Sequence, residues 1–483
     1  MICKSGRALA VVPVAITLLP LLGWGGHKGS ANSPDFIVTA ASVYKPLAEL
    51  KGQERFPNGA QLLFVHDGKA EPLVEGFAAT ADGNVSFDGK RVLFSGKKSA
   101  NDHWQIWEMT LQDHSLRKVI ETTGDAERPF YLPGGRLLWA ERTENGFQIE
   151  SKELPPESHT PQDDNFYPHQ TVLNPTAGSG VTALTYGISN SFPTDVLADG
   201  RILFESTFPL GEGSSTSELF LIYADGSGVE SYRCDHGRAR WGGTQLTSGD
   251  VIFTHGPTLA RFTSALAHEV PVAAPPAQYA GRIAETASGE WLVSARTSAG
   301  ARYAIQLLDP AAKSAKLVPV HAITGLDLVE PVLVVPRTRP NRHPSGLHPW
   351  DYANLLAMDS RLSREGDLKA TPVTVRLEIQ NEHGVAIVIG TAPVEKDGSF
   401  FVKVPGDKPI RFALLDEKGA VLRRERGWFW ARKGEQRICV GCHAGPARGS
   451  ENRVPNVLMR TTTPVDLTGA NSRPTASAAS GGH

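Results

Sequence analysis

The chain has 483 residues and a formal net charge of −2, with 49 Lys and Arg against 51 Asp and Glu. One hydrophobic core rarely serves a chain of this length, so we expect two or more structural units. The sequence has no excess of basic over acidic residues, which argues against a nucleic-acid partner. Glycine (48) and proline (34) are abundant, which favours many turns and an all-β fold over long helices.

The N-terminus has the pattern of a secretory signal peptide. Positive residues precede an apolar run from Ala8 to Trp24, and small residues follow up to Ala31. Cleavage after Ala31 is expected, so residues 1–31 are predicted to be removed on export. The alternative is an uncleaved anchor, but the run is short for a bilayer span and contains Pro13 and Pro20. The predicted location is periplasmic or extracellular, with no stable membrane span after cleavage.

Residues 40–335 contain a recurring pattern in which a turn with glycine is followed by an apolar β run. The turn glycines are Gly89, Gly135, Gly200, Gly249 and Gly289. A period near 40 to 50 residues with several strands per repeat is typical of a β-propeller. We expect six blades, or seven, with an insertion in the long third interval. The alternative is an array of β-sandwiches.

Single copies of the repeat read Asp-Gly-Lys-Arg-Val-Leu-Phe at 88–94 and Asp-Gly-Arg-Ile-Leu-Phe at 199–204. They resemble the repeat of TolB-like (PD40/WD40-like) propellers, and the resemblance covers most of residues 60–320. It implies a propeller of that kind.

A second β unit follows a proline-rich, basic linker at residues 336–349. Apolar and polar residues alternate over Val373–Ile379, and Asp397-Gly398 is a hairpin turn between two apolar runs. These patterns predict a small β-sandwich. The unit, with the segment described next, spans residues 350–460. Residues 461–483 are rich in small and polar residues and are predicted to be a disordered tail.

The run Cys439-Val440-Gly441-Cys442-His443 is the strongest functional signal in the chain. C-x-x-C-H is typical of covalent haem attachment, in which two thiols form thioethers and the histidine ligates the iron. A thioredoxin-like pair is the first alternative, but it normally belongs to cytosolic proteins. A zinc site is the second, but it needs another ligand pair, and the other cysteines are isolated. We predict one covalent haem c on Cys439 and Cys442, with His443 as an axial iron ligand.

Aromatic and basic residues precede this motif. We expect Trp428 and Trp430 to contact the haem, although both would also suit the core of the sandwich. Four basic residues are candidates to pair with the haem propionates: Arg426, Arg432, Lys433 and Arg437.

The sixth iron ligand stays open at this stage. Met459 is our tentative distal ligand, because it is the only methionine downstream and histidine–methionine ligation suits electron transfer. Met459 would equally serve as an apolar anchor. Other candidates lie in the linker and the second unit: Met358, His343, His348 and His383. An iron without a sixth ligand would instead permit ligand binding or chemistry.

Cys234, Asp235 and His236 form a second unusual cluster. Sulfur, carboxylate and imidazole at adjacent positions are metal-ligand types, and a blade loop carrying them could face the haem. The alternative is a buried cysteine followed by a turn, which we favour. Hydrolase and nucleotide-binding motifs are absent from the sequence.

The order of these units carries a second resemblance. A propeller, Asp-Gly-Ser-Phe at 397–400, Trp-Phe-Trp at 428–430 and Cys-Val-Gly-Cys-His at 439–443 resemble proteins related to the hydrazine synthase alpha subunit middle domain. The match is best over residues 350–460 and implies one c-type haem on the motif. We do not expect hydrazine synthesis itself to carry over, because the chain ends 40 residues after His443, without the multihaem region of that subunit.

Three functions are compatible with these features. The first is an exported monohaem c-type cytochrome-like protein, acting in electron transfer or as a redox partner. The second is a hydrazine-synthase-like oxidoreductase whose open haem iron faces the propeller. The third is a haem-stabilised binding or sensor module. The expected partner is a redox protein or a small-molecule substrate on the propeller face.

Overall fold

The computed structural model describes residues 34–154, 180–211, 214–233, 237–264, 267–363, 366, 368–441 and 453–469. These segments are almost entirely β-structure. They contain eight four-stranded sheets, one 3-10 helix at Glu49–Lys51 and one short α-helix, α1, at Asn456–Arg460. The predicted all-β class is confirmed.

Six of the sheets in the described residues are the blades of a propeller. Their strands are β1 (Phe36–Ala41), β2 (Gln61–His66), β3 (Lys69–Pro72), β4 (Ala79–Val85), β5 (Arg91–Lys97), β6 (Gln105–Thr110), β7 (Leu116–Ile120), β8 (Ala126–Leu132), β9 (Arg136–Thr143), β10 (Gly146–Glu153), β11 (Val181–Ala183), β12 (Ser191–Val196), β13 (Ile202–Gly211), β14 (Ser214–Ile222), β15 (Glu230–Ser231), β16 (Arg240–Gln245), β17 (Val251–His255), β18 (Thr258–Phe262), β19 (Glu269–Pro271), β20 (Gln278–Glu285), β21 (Trp291–Arg296), β22 (Ala304–Leu308), β23 (Leu317–His321) and β24 (Asp327–Leu333).

Five blades are built from four consecutive strands, and the remaining blade joins the two ends of the propeller. That blade has the order β24-β1-β2-β3, with Phe36 opposite Leu333. The five turn glycines connect the first and second strands of the consecutive blades, and all have positive φ, between 70° and 90°. Glycine adopts this conformation without the Cβ penalty, which explains why it recurs there. The prediction of a six-bladed propeller is confirmed.

The last two sheets form the predicted β-sandwich. Their strands are β25 (Tyr352–Ala357), β26 (Thr374–Gln380), β27 (Ala386–Pro393), β28 (Phe400–Pro405), β29 (Ile410–Leu415), β30 (Val421–Arg424), β31 (Gln436–Cys439) and β32 (Val465–Asp466). One sheet has the order β31-β25-β28-β32 and the other β27-β26-β29-β30. Alternating apolar residues such as Leu355, Leu377, Val402 and Phe412 meet between the sheets in one buried core.

Residues 336–349 contain no strand and run along the propeller face that carries the repeated turns. The Arg337 amide donates to Phe87 O at 2.9 Å, and the Asn341 amide donates to Ala198 O at 2.9 Å. Farther along, Ser345 Oγ donates to Asp225 Oδ2 at 2.8 Å. The linker is therefore held by backbone and side-chain hydrogen bonds on its way to the sandwich.

A buried ionic network lies where the inner strands meet. Arg55, 2% exposed, reaches it from the long β1–β2 connection and donates to Glu330 Oε1 at 2.7 Å. Arg128, on β8, donates to Glu205 Oε1 at 2.7 Å. The two guanidiniums share Glu49, and Arg55 also binds Asp82. The network connects the β1–β2 connection to four blades.

Candidate functional site

Cys439 ends β31, where Ala357 of β25 is its parallel neighbour and Met358 N donates to Cys439 O at 2.8 Å. Its side chain packs against the sandwich core. Burial raises the pKa of the Cys439 thiol above its ordinary value, and the nearby Arg437 guanidinium opposes this only in part. Reactive thiolates need a lowered pKa, so this environment does not favour a thioredoxin-like cysteine. Cys442 and His443 lie outside the described residues.

Arg437 connects the strand that carries Cys439 to the propeller. Its Nη1 donates to Trp430 O at 3.3 Å, and its Nη2 donates to Val229 O, just before β15. Its guanidinium also lies 5.3 Å from the centre of the Phe429 ring. If the blade of β1 is counted as blade one, β8–β11 form blade three and β12–β15 form blade four. Arg437 therefore connects the cysteine strand to blade four.

Arg432, another candidate for propionate binding, also spans the two units. It is 8% exposed, and its Nη1 donates to Ala183 O at 2.6 Å and to the Tyr186 hydroxyl. Both arginines therefore donate hydrogen bonds to protein acceptors at the boundary between the propeller and the sandwich.

Trp428 and Trp430 line a cavity of about 350 Å³ at that boundary. Trp430 is 6% exposed and packs with Leu184, Val229 and other residues of blades three and four. Trp428 has the Arg411 guanidinium 4.4 Å from its ring centre. Trp430 therefore belongs to the contact between the two units rather than to the sandwich core.

The cavity wall is aromatic and nearly uncharged. The propeller contributes Tyr186, Phe204, Phe208 and Phe220, and the sandwich contributes Trp428, Phe429 and Trp430. The one charged lining residue in the described chain, Glu230, is paired with Arg201 at 3.0 Å. Such walls at a domain boundary are typical of sites for flat, apolar molecules.

Two observations bear on whether these residues fit a haem. The Trp430 Nε1 donor is buried and has no hydrogen-bond partner, which is costly unless a ligand or movement satisfies it. The Arg437 side chain, adjacent to Cys439, bonds two residues of the cavity wall, Val229 and Trp430. Arg437 thus lies beside both the Cys439 thiol and this wall, and an aromatic, nearly uncharged cavity suits a large apolar group, so the described residues fit.

The sixth-ligand candidates lie in different surroundings. Met459 is 70% exposed on α1, whose Val457 is buried. His348 stacks on Trp350 at 4.3 Å, and His343 contacts Tyr223 at 4.9 Å. His383 is exposed at the turn before β27. Met358 directly follows β25, and among these five its backbone is the one bonded to Cys439.

Cys234, Asp235 and His236 lie outside the described residues. Within the described part of the chain, no group of three or more His, Cys, Asp and Glu side chains is arranged to hold a metal ion. The described ranges also contain no helix long and apolar enough to cross a bilayer.

The sequence prediction missed the propeller half of the cavity. Phe208 and Phe220 lie on β13 and β14, the two longest described strands, with 10 and 9 residues. Their length was a usable signal, because it extends the hairpin of blade four beyond that of the other blades. Its contact with the sandwich could not be foreseen from spacing alone.

Residues 365–444 match the family model described as the hydrazine synthase alpha subunit middle domain. The chain is also 21% identical to hydrazine synthase subunit alpha of Kuenenia stuttgartiensis, over 92% of this chain and 71% of that protein. The predicted resemblance is confirmed. The chain is similar to the hydrazine synthase alpha subunit over most of its length.

The solved structure of Kuenenia stuttgartiensis hydrazine synthase has the same fold over most of this chain. The TM-score is 0.71 at 15% identity, covering 88% of this chain and 71% of that one. TolB from Acinetobacter baumannii is a weaker likeness, with a TM-score of 0.43, 13% identity and coverage of 62% and 67%. The propeller assignment rests on the strand pairing described above.

Proposed function

We propose that this protein is an exported, monohaem c-type protein with a redox function. The observation that carries the proposal is the Cys439–His443 motif, which ends the segment matched by the middle-domain family, 365–444. A haem bound there would supply one-electron chemistry at its iron. Cys439 and Cys442 would hold it covalently, and His443 would ligate the iron.

The neighbouring residues would give that group an apolar, rigid setting. Trp428 and Trp430 are proposed as haem contacts, and both line the aromatic cavity. Arg437 holds the cysteine strand against the propeller through Val229 O and Trp430 O. Burial and fixed hydrogen bonds of this kind are how a protein tunes a haem potential.

Covalent attachment is tested by expressing the chain with a c-type maturation system and staining a denaturing gel for haem. Wild-type protein should stain, and the Cys439→Ser/Cys442→Ser double variant should not. A matched Cys234→Ser variant should stain like wild type. An unstained wild-type band, or a stained double variant, would refute the attachment.

The first candidate role is electron transfer to a redox partner, with Met459 as the proposed distal ligand. Met459→Ala should then convert a six-coordinate, low-spin absorption spectrum into a five-coordinate, high-spin one, with Met358→Ala as the comparison. If Met459→Ala leaves the wild-type spectrum unchanged, Met459 is not the ligand. If only Met358→Ala changes it, the ligand is Met358.

The second candidate role is an oxidoreductase with an open iron facing the propeller. Two observations favour it: Met459 is largely exposed, and the described cavity wall contains no His, Met, Cys or Lys. A high-spin wild-type spectrum that shifts on adding carbon monoxide to the reduced protein would support this role. A low-spin spectrum that resists carbon monoxide would exclude it.

The relative from Kuenenia stuttgartiensis is described as a subunit. We infer that the present chain also works with a protein partner, which would receive or deliver electrons. The proposed location is the periplasm or the cell exterior, because c-type haem is attached after export. A fusion to an export-dependent reporter, with residues 1–31 present or deleted, tests the location.

A further inference from the structure

The aromatic cavity between the propeller and the sandwich has polar wall groups without a partner in the described part of the chain. Trp430 is 6% exposed, and its buried Nε1 makes no hydrogen bond there. Ser231 Oγ, on β15 in the same wall, is buried and unpaired as well. A buried polar group without a partner is costly. An indole N–H can only donate, so the wall favours a molecule that carries an acceptor.

The other wall residues determine the shape of that molecule. Aromatic rings line the cavity from both units, and Phe204 and Phe220 stack with their centres 5.4 Å apart. Tyr186 meets Trp430 edge to face at 6.0 Å. The cavity volume of about 350 Å³ lies near the lower end of the range for small-molecule sites. These walls suit a small, flat ring system.

The wall also disfavours charged ligands. The one charged residue in its described part, Glu230, is paired with Arg201 at 3.0 Å. No Lys, Arg or His lines the cavity within the described chain, so a phosphate or carboxylate would be buried without a cation. The Thr207 hydroxyl already donates to Leu50 O at 3.3 Å. The ligand that fits is uncharged and has few polar atoms.

We propose that this cavity binds a quinone, a flat, uncharged ring whose hydrogen-bonding groups are its carbonyl oxygens. One carbonyl would accept from Trp430 Nε1, and the Ser231 hydroxyl would offer a second donor. The choice of a quinone among carbonyl compounds rests on the proposed redox function, because quinones exchange electrons with haem proteins. Cys439 does not line the cavity, so the quinone site is separate from the thiol that would carry the haem.

Equilibrium dialysis of the purified full-length product against duroquinone and durene separates carbonyl recognition from ring packing. The two compounds share a methylated ring, but durene lacks the carbonyl oxygens. Duroquinone also has no free ring position for a thiol to attack. Wild type should bind duroquinone saturably, about tenfold or more tightly than durene. Trp430→Phe keeps an aromatic ring without the N–H, so it should weaken duroquinone binding about tenfold and leave durene binding unchanged.

Trp107→Phe is the matched control. Trp107 lies on β6, where its Nε1 donates to Gly96 O at 3.2 Å, and this variant should bind both compounds like wild type. Ser231→Ala should weaken duroquinone binding and spare durene binding, as Trp430→Phe does. Circular dichroism establishes that the variants are folded. Equal weakening of both compounds in Trp430→Phe would show a packing role alone and would overturn the proposal.

The haem-free variant Cys439→Ser/Cys442→Ser separates this proposal from the proposed function. Duroquinone binding by both wild type and this variant supports the quinone site, even if the wild-type band carries no haem stain. Binding by the variant alone, beside a haem-stained wild type, would show that the haem fills the cavity and would overturn the proposal. The absence of saturable duroquinone binding in both proteins would overturn it too.

Discussion

At the scale of single residues, the structure places several ionisable groups where burial decides their charge. Glu127, on β8, is 6% exposed and lies beside the buried ionic network. Burial is the main cause that raises the pKa of Glu127 from 4.5 to about 8. Asp82 raises it further, and Arg55 opposes the shift. Glu127 is therefore protonated in the folded protein at neutral pH.

The raised pKa of Glu127 predicts a pH dependence of stability. Between pH 4.5 and 8 the folded state keeps a proton that the unfolded chain has released, so raising the pH favours unfolding. The free energy of unfolding should fall by up to about 1.4 kcal/mol per pH unit in this range relative to Glu127→Gln. Urea unfolding at several pH values measures the difference.

The exposed Glu121 offers a control for this experiment. Its side chain is 74% exposed, so Glu121→Gln should leave the wild-type pH dependence in place. If wild type and Glu127→Gln showed parallel pH profiles, Glu127 would not hold the proton.

At the scale of elements, the β1–β2 connection links several blades of the propeller. Arg55, from this connection, binds carboxylates that belong to the 3-10 helix and to strands β4 and β24. Leu50 O in the same connection accepts from Asn190 Nδ2 at 3.0 Å, at the entrance to blade four. The connection thus ties the blade that closes the ring to blades built from the middle of the chain.

Replacing Arg55 by methionine should destabilise the protein by about 3–5 kcal/mol, because it removes the guanidinium paired with buried Asp82 and Glu330 and leaves Glu49 with Arg128 alone. Lys118→Met is the control, since Lys118 pairs with the exposed Glu121 at 2.6 Å. This exposed pair should contribute at most about 0.5 kcal/mol. Chemical unfolding of both variants gives the comparison, and equal losses would contradict a special role for the network.

At the scale of the whole molecule, Trp430 joins the two units. Its ring packs into the propeller cluster with Leu184 and Val229, while Phe429 beside it contacts the cores of both units. The arginine bonds to Val229 O and Ala183 O cross the same boundary. An apolar, hydrogen-bonded boundary of this kind should make the two units unfold together.

Calorimetry tests that coupling. Wild type should unfold in one transition, whereas Trp430→Ala, which removes about 3–5 kcal/mol of packing, should separate the propeller and sandwich transitions. Trp430→Phe keeps most of the ring contact and should retain a single transition. Two transitions in the wild type would show that the boundary does not couple the units.

Local patterns predicted much of this architecture because the information lies within a few residues. Asp88-Gly89 specifies a tight turn through its own backbone preference, and five such turns at long intervals indicate a propeller. Cys439-Val440-Gly441-Cys442-His443 is likewise a contiguous signal, and it lies within the segment 365–444 that matches the family model. Its covalent haem stays a prediction.

Local sequence patterns do not predict contacts between residues far apart in the chain. Alternation along Trp428-Phe429-Trp430 left open whether these rings face the sandwich core or a haem. Trp430 instead packs on blades three and four, about 200 to 300 residues earlier in the chain. Arg432 and Arg437 looked available for propionates, yet both donate to propeller carbonyls. Such pairings depend on how two folded units meet, which no short window encodes.

The sequence alone determined the turns, the recurrence of the repeat and the cysteine–histidine motif, because each depends on neighbouring residues. The tertiary structure decided the pairing of Phe36 with Leu333 that closes the ring, the propeller contact of Trp430, and the aromatic cavity between the two units. These features arise from backbone hydrogen bonds and apolar burial between segments far apart in the chain. Their partners are selected only when the whole chain has folded.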